Sequence, residues 1–327
     1  MAGNGDFTGK HTEKMNTKTN FSSFEKGTLW DRILEATAVA LEHGALKPIK
    51  TEGRVLADGG VDFLVRVVES LARKEAEKIL QAESAKSKEK REKPNPFLPY
   101  EKDMFVADIS NTHLCLLNKF NVIEHHLLIV TNTFEHQETL LTVRDFQAIW
   151  RCMTEIEGLA FYNGGEIAGA SQDHKHLQLI PLPMASTGRE VPMESLFEQP
   201  QKTPGMVPGI PFVHAFKRFS SIVDIPHGMA AQALYQMYRL MLQQVGMNPF
   251  TEREETLQSG PYNLLFTREW MLLVPRSREF FESISVNALG FAGALLARNP
   301  EEMDLIEKKG GMRVLQHTAL PKCLGPR

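Results

Sequence analysis

Gly169-Ala-Ser-Gln-Asp-His-Lys-His-Leu-Gln-Leu-Ile180 is the stretch on which the reading of this chain turns. A turn of small residues (Gly169, Ala170, Ser171) runs into a segment whose side chains alternate in character. If residues 174–180 are a strand, side chains two apart share a face. His174, His176 and Gln178 then form one row, with Lys175, Leu177 and Leu179 on the other side. The leucines tie the strand to a core, while two imidazoles and an amide are presented together. That row is the expected active site.

Three chemistries compete for it. One is purely structural, the imidazoles being satisfied by hydrogen bonds. The second is a metal site, because imidazoles on alternate strand positions can share an ion. Zinc would want a third or fourth ligand, and no partner cluster lies nearby in the sequence. The third is covalent catalysis, one imidazole acting as nucleophile while its neighbours orient it and the substrate. The turn at 169–172 favours the third, since backbone N–H groups in such a turn gather around an anionic oxygen. A nucleophile beside a phosphate cradle is the better account.

Ser171-Gln-Asp-His-Lys-His-Leu-Gln178 resembles the Ser-Gln-x-His-x-His-x-Gln signature of the ATP adenylyltransferases. These are also known as diadenosine tetraphosphate phosphorylases, the transferase branch of the histidine-triad superfamily. Leu116-Leu-Asn-Lys-Phe120, His126-Leu-Leu-Ile-Val-Thr131 and Phe161-Tyr-Asn-Gly-Gly165 resemble family segments in the family's order. So do Tyr262-Asn-Leu-Leu-Phe-Thr267, Trp270 and Val274-Pro-Arg-Ser277. The resemblance covers roughly residues 40 to 310 and gives the N-terminal segment no counterpart. It implies an α+β fold: a histidine-triad-like antiparallel sheet flanked by helices, with a C-terminal α+β extension.

Composition sets bounds around that reading. With 327 residues, 42% of them hydrophobic, the chain can bury a substantial core. A formal net charge of −3 offers no polycation to a nucleic-acid backbone, so no nucleic-acid partner is expected. Three cysteines, Cys115, Cys152 and Cys323, are widely spaced and form no Cys-x-x-Cys. A disulfide framework is therefore not expected, and a reducing, cytoplasmic compartment is. No apolar run is long enough for a membrane span. The polar first twenty residues lack the apolar core of a secretory signal.

The expected layout is a disordered tail over 1–25 and a nucleotide-binding histidine-triad-like domain over 26–185, carrying a charged connector at 72–93. A Pro- and Gly-rich loop at 186–211 leads to a C-terminal subdomain at 212–327. Apolar spacing predicts helices over 29–43, 229–245 and 301–309. A further helix opens at Thr142 with a capping-box-like Thr142/Asp145 pair and runs to near Phe161. Its face of Phe146, Ile149, Trp150, Met153 and Ala160 is read as core. Strands are expected at 61–68, 104–109, 113–118, 126–131, 212–219, 263–267 and 270–274, and a strand or buried segment at 287–296.

The resemblance assigns roles residue by residue. His176 is the nucleophile, taking the α-phosphorus of a nucleotide on its neutral ring nitrogen and forming an AMP–histidine bond. His174 orients it, and Gln178 places an amide N–H on a phosphoryl oxygen. Lys74, Asn118, Lys119, Asn163 and the turn Gly169, Ala170, Ser171 and Gln172 hold phosphates. Asn263, Thr267 and Arg276 lie near the second nucleotide. The implied reaction is reversible phosphorolysis of diadenosine tetraphosphate to ATP and ADP, with adenylyl sulfate as a further donor in some relatives. Diadenosine polyphosphates, ATP, ADP and phosphate are thus the expected partners, with Mg²⁺ carried by their phosphates and not by a protein cage. Because an amide cannot do acid–base work, Gln178 favours a transferase over the superfamily's hydrolases. A hexose-1-phosphate uridylyltransferase-like enzyme and a non-catalytic nucleotide-binding scaffold are the alternatives.

Overall fold

The structure, a computed structural model, describes residues 24–68, 95–185, 188–200, 203–219, 222, 224–248, 250–252 and 255–322. A helix, Leu29–Glu42, precedes the first two strands. β1 (Thr51–Asp58) and β2 (Val61–Val68) pair antiparallel through a tight turn whose Gly59 and Gly60 both have positive φ. β3 (Phe105–Asp108), β4 (His113–Leu117), β5 (Leu127–Thr131), β6 (Gly158–Gly164) and β7 (His176–Pro181) follow. β8 (Ala215–Arg218), β9 (Tyr262–Phe266) and β10 (Trp270–Pro275) complete an antiparallel sheet in the order β3-β4-β5-β7-β6-β9-β10-β8. This sheet draws strands from both sides of the Pro- and Gly-rich stretch. β11 (Ala294–Ala297) runs parallel to β2, making a separate sheet β1-β2-β11.

The large sheet divides two cores because β7 lies in its interior, between β5 and β6. Leu177 and Leu179 point into the first core, against α1 (Leu29–Glu42), α2 (Val143–Met153) and α4 (His227–Gln244). Each fully buried leucine contributes about 1.5–3 kcal/mol. Ile180, Leu159 and Phe161 face the second core. There they meet β2, α3 (Glu194–Phe197), α5 (Ala288–Phe291), α6 (Pro300–Lys309) and α7 (Gly311–Thr318). A small cluster of Phe97, Leu114, Leu116, Leu128 and Val130 lies toward the β3 edge. The protein is thus α+β, with a large antiparallel sheet flanked by helices.

The capping box at the start of α2 is present: the Thr142 hydroxyl accepts from the Asp145 N–H, and Asp145 accepts from the Thr142 N–H. The helix does not reach Phe161, however. It stops at Met153, and the apolar run 158–164 is β6, buried along its whole length. A strand covered on both faces has no alternation to distinguish it from a buried helix. Gly158 is required there, since a Cβ would come 2.7 Å from the Ile180 carbonyl oxygen of β7. The segment 287–296 divides into α5 and β11. Exposed β1 carries little apolar signal, and the terminal α7, at eight residues, is too short for its buried Met312, Val314 and Leu315 to establish a period. Phe24, placed in the expected tail, is buried against the first core, and its carbonyl accepts from Arg151 Nη2. The connector at 72–93 lies outside the described residues.

Candidate active site

Regular strand begins at His176, two residues later than the alternation suggests. His174 sits just before it in an isolated bridge to His136. That offset decides how the two imidazoles are used. His176 Nδ1 donates to the His174 backbone carbonyl at 2.8 Å, which fixes the tautomer and leaves Nε2 with its lone pair. Burial pushes the His176 pKa down to about 4, against a smaller raising effect from that hydrogen bond. The ring is therefore neutral across the physiological range.

His174's ring points elsewhere. Its Nε2 donates to the Thr131 carbonyl at 3.0 Å, and its Nδ1 accepts from Asn95 Nδ2 at 3.0 Å. It does not line the cavity, and its service to the site is the carbonyl it offers His176. Phe97 covers both rings at 5.6 and 5.3 Å between centroids.

The sheet's cavity side opens between the second core and the Phe97 cluster into a space of about 890 Å³. Such a volume suits a ligand of nucleotide size or larger. His176, Gln178, His126, Asn118, Lys119 and Asn163 line it, as do Gly169, Ser171 and Gln172. Ala170, the remaining member of the turn, is half-buried beside it. Gly169 has φ of +89°, and a Cβ there would come 2.8 Å from Asn287 Cβ, so only glycine fits this close approach.

Two amides in the wall are oriented from behind. Asn118 Nδ2 donates to His126 Nδ1 at 3.1 Å, and His126 Nε2 donates to Gln178 Oε1 at 2.8 Å. With its oxygen engaged, Gln178 has its NH₂ left for the cavity. Burial pushes His126 down to about 4 as well, the Gln178 bond opposing and His176 reinforcing the shift. Asn163 repeats the device: Oδ1 accepts from Asn263 Nδ2 and the Ala288 N–H, each at 2.9 Å. Asn263 Oδ1 in turn accepts from Arg276 Nη1 at 2.6 Å. Both amides thereby offer neutral donors to an anion.

This places Asn263 and Arg276 behind the wall and not in it. Arg276 is saturated by protein acceptors: Nε by Thr318 O, Nη1 by Ala168 O and Asn263, Nη2 by Arg278 O and Glu279 O. All five of its donors are used. Thr267 lies apart, in a second cavity beside Glu157, Arg268 and Glu269. Lys119 reaches the main cavity while paired to Glu101 at 3.0 Å. Lys74 lies outside the described residues.

Sequence reasoning gave no role to His126 or to Gln137. Gln137 Oε1 accepts from the His176 N–H at 2.9 Å, and its Nε2 donates to Asn163 O at 2.8 Å. The buried amide bridges β6 and β7 where their ladder ends at Phe161 and Gln178. For His126 one signal was available: a histidine at the head of a strand otherwise made of apolar residues.

A neutral imidazole with a free lone pair, flanked by two amide donors and a glycine turn, defines a site for the phosphates of a nucleotide-sized ligand. The chain belongs to a nucleotidyltransferase family, the Ap4A phosphorylases. Residues 19–199 match the Ap4A phosphorylase N-terminal domain, and residues 208–321 match the ATP adenylyltransferase C-terminal domain. Protein APA1 of Saccharomyces cerevisiae is 28% identical over 294 residues, covering 83% of this chain and 87% of that one. The diadenosine 5′,5‴-P1,P4-tetraphosphate phosphorylase 2 of the same yeast is 26% identical over 305 residues, covering 84% and 89%. The crystal structure of yeast Ap4A phosphorylase Apa2 superposes with a TM-score of 0.72 at 22% identity, over 92% of this chain and 97% of that one. That likeness shows a shared fold.

Proposed function

We propose that this protein catalyses the reversible phosphorolysis of diadenosine tetraphosphate by inorganic phosphate, giving ATP and ADP through an AMP–His176 intermediate. The observation that carries the reading is the His176 ring itself: neutral, buried, its Nδ1–H held by a carbonyl and its Nε2 free. Nε2 attacks the α-phosphorus. The N–P bond forms as the bond to the bridging oxygen breaks, and ATP leaves with the electron pair. The His174 carbonyl then holds the Nδ1–H of a positively charged ring. A phosphate oxygen attacks the same phosphorus, Nε2 departs with its pair, and ADP is formed. Two inversions return the original configuration at phosphorus.

The Gln178 and Asn163 amides supply donors to the non-bridging oxygens, where charge builds in each transition state. Among the described residues beside Gln178, no proton acceptor stands ready for water: His126 has its Nε2–H committed to Gln178 and its Nδ1 lone pair taken by Asn118. An acceptor already anionic needs none, which is why phosphate is favoured over hydrolysis. Adenylyl sulfate, whose leaving group is sulfate, enters the same scheme as a second donor.

Mg²⁺ in this reading travels with the substrate's phosphates and neutralises part of their charge. Among the described residues no three His, Cys, Asp or Glu side chains group to hold a metal. A cytoplasmic location accords with the unpaired, buried thiols of Cys115 and Cys152. No helix among the described residues is long and apolar enough to cross a membrane.

Product analysis with diadenosine tetraphosphate, with and without phosphate, tests the function. ATP plus ADP, formed only when phosphate is present, is the expected result. Equal cleavage without phosphate refutes it in favour of a hydrolase. Labelled AMP trapped on the wild type and absent from His176→Ala places the adduct.

A further inference from the structure

Among the described residues, three arginines and lysines reach the main cavity: Arg66, Lys119 and Arg298. Two of them have carboxylate partners. Lys119 pairs with Glu101 at 3.0 Å, and Arg298 with Glu302 at 2.7 Å. Arg66 has none among the described residues. Its Nη2 donates to the Met184 carbonyl at 3.1 Å, and its Nε–H is buried without any hydrogen-bond partner. Arg66 is half-buried, and an Nε–H shielded from water with no acceptor is costly unless an anion arrives to meet it. Desolvation lowers the Arg66 pKa with no acidic neighbour offsetting it.

Its position narrows what that anion is. Arg66 is on β2, in register with Leu296 of the parallel β11, and both residues line the cavity. The donors gathered around His176 belong instead to β6, β7 and the turn after β6. The wall built by β2 and β11 is otherwise apolar there, with Leu295 and Leu296 as its lining. The attacked phosphorus already has Gln178, Asn163 and the turn. A guanidinium on a different wall serves a different group.

We infer that Arg66 binds the substrate phosphates beyond the one bonded to His176: the departing polyphosphate in the first half-reaction, the acceptor phosphate in the second. The inference rests on the phosphorolysis reading above. It makes Arg66 the uncompensated positive charge that draws an anionic acceptor into a cavity whose other cations, among the described residues, are already paired. The planar guanidinium suits this work, because with Nη2 held by Met184 it still has Nη1 and, once the side chain turns toward a phosphate, Nε to donate.

The test separates the two claims. Full-length wild type and Arg66→Gln are first mixed with labelled diadenosine tetraphosphate in the absence of phosphate. Labelled AMP on the wild type keeps the underlying reading; its absence sinks that reading whatever Arg66 does. Discharge of the adduct is then followed against inorganic phosphate. Arg66→Gln is expected to raise the phosphate KM by about 10–100-fold, the size of a hydrogen bond to a charged group. Turnover at saturating phosphate should stay within about threefold. Should the glutamine variant fail to fold, Arg66→Lys carries the test. Lysine keeps the charge and a donor for Met184 but lacks the Nε–H, so the phosphate KM rises several-fold with thermal stability retained. An unchanged phosphate KM in a folded variant of either kind, with only the melting temperature reduced, overturns the proposal and leaves Arg66 as a tie to Met184.

Discussion

The two faces of β7 treat buried ionisable groups in opposite ways. On the cavity face, His176 and its neighbour His126 are kept neutral, each pushed down to about 4 by burial, and Gln178 accepts the His126 Nε2–H. On the other side Lys175, the residue that leads into β7, is wholly buried. Its Nζ donates to Asp145 Oδ2 at 3.2 Å, to the Leu140 carbonyl at 3.0 Å and to Glu135 Oε2 at 3.0 Å. Asp145 also accepts from His113 Nε2 at 3.1 Å and caps α2. Burial alone would raise the Asp145 carboxyl; Lys175 first, then His113 and Thr142, hold it well below the usual carboxylate range. One face keeps its groups uncharged and available. The other keeps them charged and fully paired, fastening β7 to α2 and β4. A reactive lone pair needs the first arrangement, and a strand that must hold that lone pair still needs the second.

The largest effect breaks the cavity face. His176→Ala should lower phosphorolysis by about four orders of magnitude or more, as removing a covalent nucleophile does, and no labelled AMP should be trapped. Retention of the adduct in that variant would place the nucleophile elsewhere. Breaking the opposite face should damage folding and not chemistry. Lys175→Met leaves Asp145 without its cation, and removing one member of a buried pair costs about 3–5 kcal/mol. Denaturant unfolding measures that loss, while adduct formation per folded molecule should stay within about tenfold. A variant as stable as the wild type would show that the pair contributes nothing net.

How much of this contrast was readable in advance depends on how local each part is. The row His176, Gln178 and the opposite Leu177, Leu179 follow from strand alternation, and the α2 cap follows from Thr142 and Asp145 three positions apart in one turn. His126 and Gln137 reach their partners 52 and 39 residues away, through strand pairings that no window of sequence contains. The same holds for Asn263 and Arg276. The family resemblance marked them as nucleotide ligands, but only the packing shows that they orient Asn163 and do not face the cavity. Lys175 read as one more residue on the leucine side. Its burial became intelligible only with Asp145 beside it.

A smaller effect sharpens the cavity face. Gln178→His puts a titratable ring where the amide now stands, next to His126, and gives water a proton acceptor. The ratio of hydrolysis to phosphorolysis should rise by about tenfold, at the cautious end of general-base effects. Product ratios with and without phosphate measure it. An unchanged ratio would mean that Gln178 does not decide the acceptor.

The smallest effect lies in the acid limb of stability, and it resolves the two faces by pH. His126 and His176 ionise near 6.5 in the unfolded chain but only near 4 when folded. As pH falls from 6.5 to 4, the unfolded state takes up protons that the folded state refuses, so stability declines across that window. Asp145 works in the same direction at lower pH. Its folded carboxyl stays ionised below the unfolded value of 3.8, so its contribution is intact above that value and lost as pH falls beneath it. Melting temperature against pH should therefore decline in two stages, and Lys175→Met should blunt only the lower one. Across the upper window the nucleophile itself is still neutral. Single-turnover AMP transfer to His176 should accordingly hold steady from pH 8 to about 5.5, even while the protein grows less stable. A transfer rate that halves near pH 6.5 would mean that His176 titrates as an exposed imidazole, and the distinction between the faces would fail.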